Sequence, residues 1–342
     1  MRKDIVLLGG VRTPFGSFCG SLNNVSATDL AVVAARGALE RTNVPASDID
    51  HVIFGNALQT SPDAIYLARH VGLKAGVPEG VPAYTINRLC GSGFQALVNA
   101  GQEISLDEAE VVLAGGTESM SQAPHTIRGA RTGIPLGKST MGDYLWEALL
   151  DTYVGLPMAL TAENLAEKYG ISREDADAYA YRSQMAYQEA LKRGIFAEEI
   201  VPVETHDPKR RPLTVTKDEH PRPNTTLEGL AKLPPVFKRD GVITAGNASG
   251  ICDGGAAMVV ASEAYAKRNG LHPIGRLIDY AVVGCDPKIM GIGPVPAIRK
   301  VLERAEMTLT DIDLIEVNEA FAPQYLAVER ELELDRERTN VN

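Results

Sequence analysis

Cysteine is scarce: Cys19, Cys90, Cys252 and Cys285 are the only 4 in 342 residues, and no two of them form a Cys-x-x-Cys pair. None has a histidine at ligand spacing, so the pattern argues against a zinc site and a disulfide framework, and no metal is expected. Long apolar runs are missing as well. No stretch approaches a membrane span, and Met1-Arg2-Lys3-Asp4 leads straight into a strand without secretory-signal anatomy, so a cytoplasmic protein with no membrane partner is expected. Positive charge is in deficit, with 34 Lys and Arg against 44 Asp and Glu and a formal net charge of −10. The basic residues are scattered, which argues against a nucleic-acid partner.

What is present is alternation. Ile5-Val6-Leu7-Leu8, His51-Val52-Ile53-Phe54, Pro82 to Ile86 and Glu110 to Ala114 are short apolar runs, each read as a buried strand. Ser26 and Asp29 form a capping pair for a helix whose apolar face, Leu30, Val33, Ala34 and Leu39, runs to about Arg41. Strand-helix alternation predicts a mostly parallel sheet covered by helices. From about Ser119 to Thr244 the loops lengthen, prolines cluster from Pro202 to Pro235, and two capped helices stand out, Thr161 to Tyr169 and Ser172 to about Leu191. Alternation resumes with strands at Ala256 to Val260, Gly275 to Val283 and Leu314 to Val317, around a helix from Pro294 to Arg304. The division expected is 1–120 plus 245–268 as a first half, 121–244 as an inserted loop domain, and 269–342 as a second half.

The halves share a repeat. Leu39-Glu40-Arg41 and Asp48-Ile49-Asp50 return as Leu302-Glu303-Arg304 and Asp311-Ile312-Asp313, at a constant offset of 263 residues. Carried across by that offset, Cys90 falls beyond residue 342, so the second copy is expected to be incomplete.

Cys90 occupies the most informative stretch, Asn87-Arg88-Leu89-Cys90-Gly91-Ser92-Gly93-Phe94, between the Pro82–Ile86 strand and a helix signalled by Phe94, Leu97, Val98 and Gly101. A cysteine at such a corner faces the free N–H groups and the positive dipole end of the helix, which favour a reactive thiolate and could stabilise an oxyanion. A small buried hydrophobe is the other reading, and this stretch alone leaves both open.

Six stretches together resemble the thiolases, the acyl-CoA C-acyltransferases. They are Arg12-Thr13-Pro14-Phe15-Gly16, Asn87 to Gly93, Ala114-Gly115-Gly116-Thr117-Glu118-Ser119-Met120-Ser121, Thr161-Ala162-Glu163-Asn164, Ala245-Gly246-Asn247-Ala248-Ser249-Gly250 and Asn318-Glu319-Ala320-Phe321-Ala322. The resemblance implies a five-layer αβαβα fold of two duplicated halves with an inserted loop domain, the second half incomplete here. It also implies ping-pong Claisen chemistry, in which Cys90 takes an acyl group from an acyl-CoA and a second acetyl-CoA attacks it to give acetoacetyl-CoA, or the reverse thiolysis. By the same resemblance Asn318 positions a water in an oxyanion hole, Arg222 stacks on the CoA adenine, and Ser249 contacts the pantetheine. Met158, Phe237 and Phe321 wall the acyl pocket. No cofactor is implied beyond CoA thioesters as substrates, and the assembly implied is a homodimer or homotetramer.

The sequence departs from the family pattern in four respects. The Gly-His-Pro-x-Gly and Cys-x-Gly-Gly-Gly motifs expected near the C-terminus are not found, and none of the 6 histidines stands in such a context. Pro157 and Ala159 replace a frequent histidine and glycine. A thiolase lacking a C-terminal segment is therefore the first expectation, and a non-catalytic CoA-binding relative the alternative.

Overall fold

A computed structural model describes residues 4–138 and 140–342. By its contacts the chain forms two compact units. One comprises Met1–Leu145, Ala197–His220 and Ile251–Ile278; the other comprises Trp146–Phe196, Pro221–Gly250 and Asp279–Asn342.

The first unit is built on a seven-stranded sheet. Its order is Gly275–Arg276, Ile5–Arg12, Cys252–Ser262, Val111–Ser119, His51–Gly55 and Ala83–Ile86, with the short strand Gly16–Ser17 pairing alongside Cys252–Ser262. Side chains alternate between two cores, as a strand with both faces covered requires. Val111, Leu113, Val52 and Phe54 pack with the helices Ala27–Thr42 and Leu67–Ala75, while Val112, Ala114 and Ile53 pack with Ala96, Ala100 and Ile104 of the helix Ser92–Ser105. The Arg12 loop is tied down within this unit by a bidentate pair to Asp218, at 2.7 and 3.0 Å, and by Glu199 at 2.8 Å.

The sheet is mixed, which corrects the mostly parallel arrangement expected. His51–Gly55 runs parallel to both of its neighbours, but Cys252–Ser262 pairs antiparallel with Ile5–Arg12 on one side and with Val111–Ser119 on the other. A strand that re-enters the sheet after a long excursion arrives from either end, so the parallel rule for short strand-helix-strand units does not bind it.

The second unit is mainly helical. Met158–Tyr169, Arg173–Lys192, Pro294–Ala305 and Ala322–Leu332 bring Leu165, Tyr179, Val295, Tyr325 and Leu326 into one core, with Tyr179 stacked on Tyr325 at 4.1 Å. Ser172 opens the long helix with the expected capping box, partnered by Asp175.

The repeat survives in local conformation. The helix Ala27–Thr42 ends on Asn43 and the helix Pro294–Ala305 on Glu306, both left-handed at φ 53° and 56°, and each is followed by a single 3₁₀ turn, Ala46–Asp48 and Leu309–Asp311. The expected strands of the second copy differ. Only Gly275–Arg276 of the 275–283 segment joins a ladder, and Leu314 to Val317 makes one isolated bridge, from Ile315 to Thr339. An extended run becomes a strand only where a neighbour meets its N–H and C=O groups in register, and these segments have no such neighbour among the described residues.

Gly55 is where the helix Ser92–Ser105 rests on the sheet. A Cβ there would lie 2.5 Å from Ser92 Cβ and 2.7 Å from its carbonyl carbon, and backbone cannot swing aside. Gly55→Ala is expected to destabilise the protein by about 1–3 kcal/mol, measured as a lower urea midpoint; an unchanged midpoint would show that the contact is dispensable.

Candidate active site

Cys90 is exposed at the corner between the strand Ala83–Ile86 and the helix Ser92–Ser105, where the sequence placed it. The sealed-interior reading is thereby removed. Leu89 adopts φ 47°, an uncommon value for a residue with a Cβ. Ser92, which is buried, holds the turn from both sides: its hydroxyl accepts from the Arg88 N–H at 2.8 Å and donates to the Leu89 carbonyl at 2.6 Å. The Gly93 and Phe94 N–H groups make no hydrogen bond among the described residues, leaving two helix-start donors beside the sulfur-bearing residue.

The remaining residues singled out by sequence lie in the second unit. Two of its loops meet: Ala248 bridges Phe321, the Ser249 N–H donates to the Ala320 carbonyl at 2.9 Å, and the Ala322 N–H donates to the Asn247 carbonyl at 2.9 Å. Phe237 and Phe321 pack with Ala159, Ala162 and Ile243 in one small apolar cluster, next to an exposed Ser249. Met158 is half-buried at the start of the helix Met158–Tyr169 and is not part of that cluster, although the next residue, Ala159, is. Arg222 is exposed. Its N–H donates to Gln184 Oε1 at 2.8 Å, and its guanidinium makes no bond among the described residues. Asn318 is exposed too, with no hydrogen bond to its side chain among the described residues.

Sequence reasoning missed the groups that hold these residues. Glu319 accepts from Tyr179 at 2.5 Å, Ser183 at 2.6 Å and Asn340 at 2.9 Å, while Asn340 also clamps Val317 through both its N–H and its carbonyl, at 2.8 Å each. Glu163, buried, accepts the N–H groups of Val242 and Ile243. Asp177, also buried, accepts from Asn247 at 2.9 Å and pairs with Arg173 at 2.7 Å. In the first unit Glu118 collects donors from Asn56, Ala57 and Leu58. One signal was available: a carboxylate inside a largely apolar motif has to be satisfied by something.

Among the described residues no group of three or more His, Cys, Asp or Glu could hold a metal ion, and no helix is long and apolar enough to cross a membrane.

Comparison with known proteins gives two family matches, Thiolase, N-terminal domain over residues 5–264 and Thiolase, C-terminal domain over residues 271–342. The chain is 55% identical over 341 residues to human mitochondrial 3-ketoacyl-CoA thiolase, covering 99% of this chain and 86% of that protein. It is 47% identical to an acetyl-CoA acetyltransferase of Pseudomonas aeruginosa, with coverage of 99% and 86%. The crystal structure of the human enzyme superposes with a TM-score of 0.97, covering 99% of this chain and 86% of that one; a second human structure, in complex with CoA, gives 0.96 over 99% and 85%. The expected fold class stands on these superpositions. The cytoplasmic placement does not: relatives at 53–55% identity from human, orangutan, cattle, mouse and rat are named mitochondrial. Missing secretory anatomy carries no information on the compartment.

Burial pushes the Glu118 carboxyl up from 4.5 to about 7, against the N–H donors of Ala57, Leu58 and Asn56, which hold it down. Because the folded value exceeds the unfolded one, the stability contributed by Glu118 is whole below about 4.5 and is lost as pH rises through about 7. A Glu118→Gln variant lacks that dependence. Its stability relative to the parent is expected to rise between about pH 5 and about pH 8, by up to about 3 kcal/mol, in urea unfolding at the two values; a difference that stays flat contradicts this.

Proposed function

The chain belongs to the thiolase family of acyltransferases, and from that premise we propose that it cleaves 3-ketoacyl-CoA thioesters with CoA, or condenses two acetyl-CoA to acetoacetyl-CoA in reverse, through an acyl group carried on Cys90. The observation carrying this reading is Cys90 itself, exposed on a strained turn at a helix start. The 3-ketoacyl substrate is favoured over acetoacetyl-CoA alone because the relatives at 53–55% identity bear that name, against 45–47% for relatives named acetyl-CoA acetyltransferase or beta-ketothiolase.

In thiolysis the Cys90 thiolate adds to the ketone carbon of the 3-ketoacyl-CoA. The bond between that carbon and the next one toward the thioester breaks, and the electron pair leaves on the acetyl-CoA fragment as its enolate, which takes a proton. The acyl group remains on sulfur until the thiolate of a fresh CoA adds to it and Cys90 leaves. The thioester carbonyl of the departing fragment carries the enolate charge in the first step, and sulfur is the good leaving group in the second. The free N–H groups at Gly93 and Phe94 and the dipole of the helix they open favour the thiolate and the oxyanion.

The residues of the second unit take the roles that the family pattern gives them. Arg222 offers an unengaged guanidinium to the adenine, Ser249 lies exposed for the pantetheine, and Phe237 and Phe321 with Met158 supply apolar surface for the acyl chain. Asn318 supplies an exposed amide for a water in the oxyanion hole. No cofactor enters this scheme.

A homodimer or homotetramer is part of the proposal. Leu89 and Phe94, 59% and 78% exposed, flank Cys90 with apolar surface that association would cover. Light scattering at micromolar concentration is expected to give a dimer or larger, and a monomer would contradict this. Incubated with acetyl-CoA or acetoacetyl-CoA, the parent is expected to gain an acyl adduct by intact mass, mapped to the Cys90 peptide. Cys90→Ala gains none while still binding CoA; an adduct persisting in that variant overturns the assignment.

A further inference from the structure

Glu118 has no part in the reaction as described, yet a continuous chain of hydrogen bonds links it to the Cys90 turn. Its carboxylate accepts the N–H groups of Ala57 and Leu58, the latter at 3.2 Å, and the side-chain amide of Asn56 at 3.1 Å. Three successive residues of the loop after the strand His51–Gly55 thus converge on one acid. The Asn56 amide also donates to the Thr117 carbonyl at 3.0 Å, and its N–H to the Ile86 carbonyl at 3.0 Å. The loop passes the restraint on: the Ala57 carbonyl accepts from the Asn87 amide at 3.2 Å, and Asn87 Oδ1 accepts the Leu89 N–H at 2.8 Å. Leu89 is the left-handed residue next to Cys90. Of the ionisable side chains on the neighbouring strand, Cys252 feels Glu118; burial first, then the carboxylates of Asp253, Asp218 and Glu118, push its thiol up to about 11.

We propose that Glu118 is a positioning residue for Cys90: its carboxylate fixes the 56–58 loop, which through Asn87 keeps Leu89 in the left-handed conformation that presents the sulfur. The inference rests on Cys90 as the nucleophile for its importance, but the wiring is independent of turnover.

A carboxylate only accepts, so it can serve several N–H groups at once; a protonated carboxyl or an amide must also donate. Protonation of Glu118 at Oε2, the oxygen that the Leu58 N–H reaches at 3.2 Å, or its replacement by Gln, therefore turns a donor toward the Leu58 N–H. The loop retreats, Asn87 loses its fixed partner, and Leu89 is free to leave its strained region. With the carboxyl titrating at about 7, the turn tightens as pH rises through neutrality.

The test is peptide-resolved alkylation of the full chain by iodoacetamide. It reads Cys90 against the exposed Cys19, with the half-buried Cys252 reporting on the fold. At about pH 8 the Cys90-to-Cys19 ratio is expected to fall about tenfold in Glu118→Gln and in Asn87→Ala, and no further in the double variant, because the two act in one chain. The parent's ratio carries an inflection near neutrality that Glu118→Gln lacks. A Glu118→Gln ratio within about twofold of the parent's, or effects that add in the double variant, overturns the proposal. Should Cys252 label rapidly in the variants, hydrogen exchange in the parent decides. Corrected for intrinsic rates, the Leu58 and Leu89 amides lose protection together below neutrality; loss at Leu58 with Leu89 unmoved overturns it. Acylation away from Cys90 would sink the nucleophile reading and leave this wiring standing, so the two failures are distinguishable.

Discussion

Leu89 sits at φ 47° beside Cys90, where its Cβ crowds the neighbouring carbonyl and only a restraining environment keeps a non-glycine residue. The first unit supplies that environment from three directions. Ser92 grips the backbone on both sides of Leu89, Asn87 accepts its N–H, and Gly55 lets the helix descend onto the strand end so that Ser92 is in reach. The sheet is thus a platform whose spacing to one helix start sets the direction of one side chain.

Loops in both units are held by carboxylates. A loop has no ladder of its own, so its N–H groups need outside acceptors, and one carboxylate offers four lone-pair sites where a hydroxyl offers two. Glu118 serves the 56–58 loop, Glu163 the N–H groups of Val242 and Ile243, Asp177 the Asn247 side chain, and Glu319 three donors from Tyr179, Ser183 and Asn340. Charge-assisted bonds of this kind contribute about 1.5–3 kcal/mol each, and the opposing cost is desolvation of the acid, which at Glu118 pushes the carboxyl up to about 7.

Local signals were legible in the sequence and distant ones were not. The caps at Ser26 and Ser172 and the corner at Cys90 depend on neighbours within a few residues, and each was written in the residue types themselves. Strand direction was misread because Cys252–Ser262 finds its partners more than a hundred residues away, and nothing in an apolar run records which way it will lie. Glu118 was quoted inside a family motif yet left without a part, since its donors sit sixty residues earlier and only folding brings them together. The grouping of Phe237 with Phe321 rested on resemblance alone, and folding brings both against one apolar cluster around Ile243.

The side chains proposed to meet the substrate keep their ends free of contacts that a ligand would have to break. Cys90, Ser249 and Asn318 are all exposed, and in each case the restraint lies on the backbone to either side: Arg88, Leu89 and Ser92 around the sulfur, Asn247 and Ala320 around Ser249, Val317 and Glu319 around Asn318. Rigid flanks around a free tip lower the entropy lost when substrate binds and leave the reacting group's own hydrogen-bonding capacity unspent. That division also fits the placement of Glu118, Glu163, Asn247 and Glu319 inside the family motifs. Glu319 follows Asn318 directly, and Asn247 precedes Ser249 by two residues, so the restraint travels through too few rotatable bonds to be lost on the way.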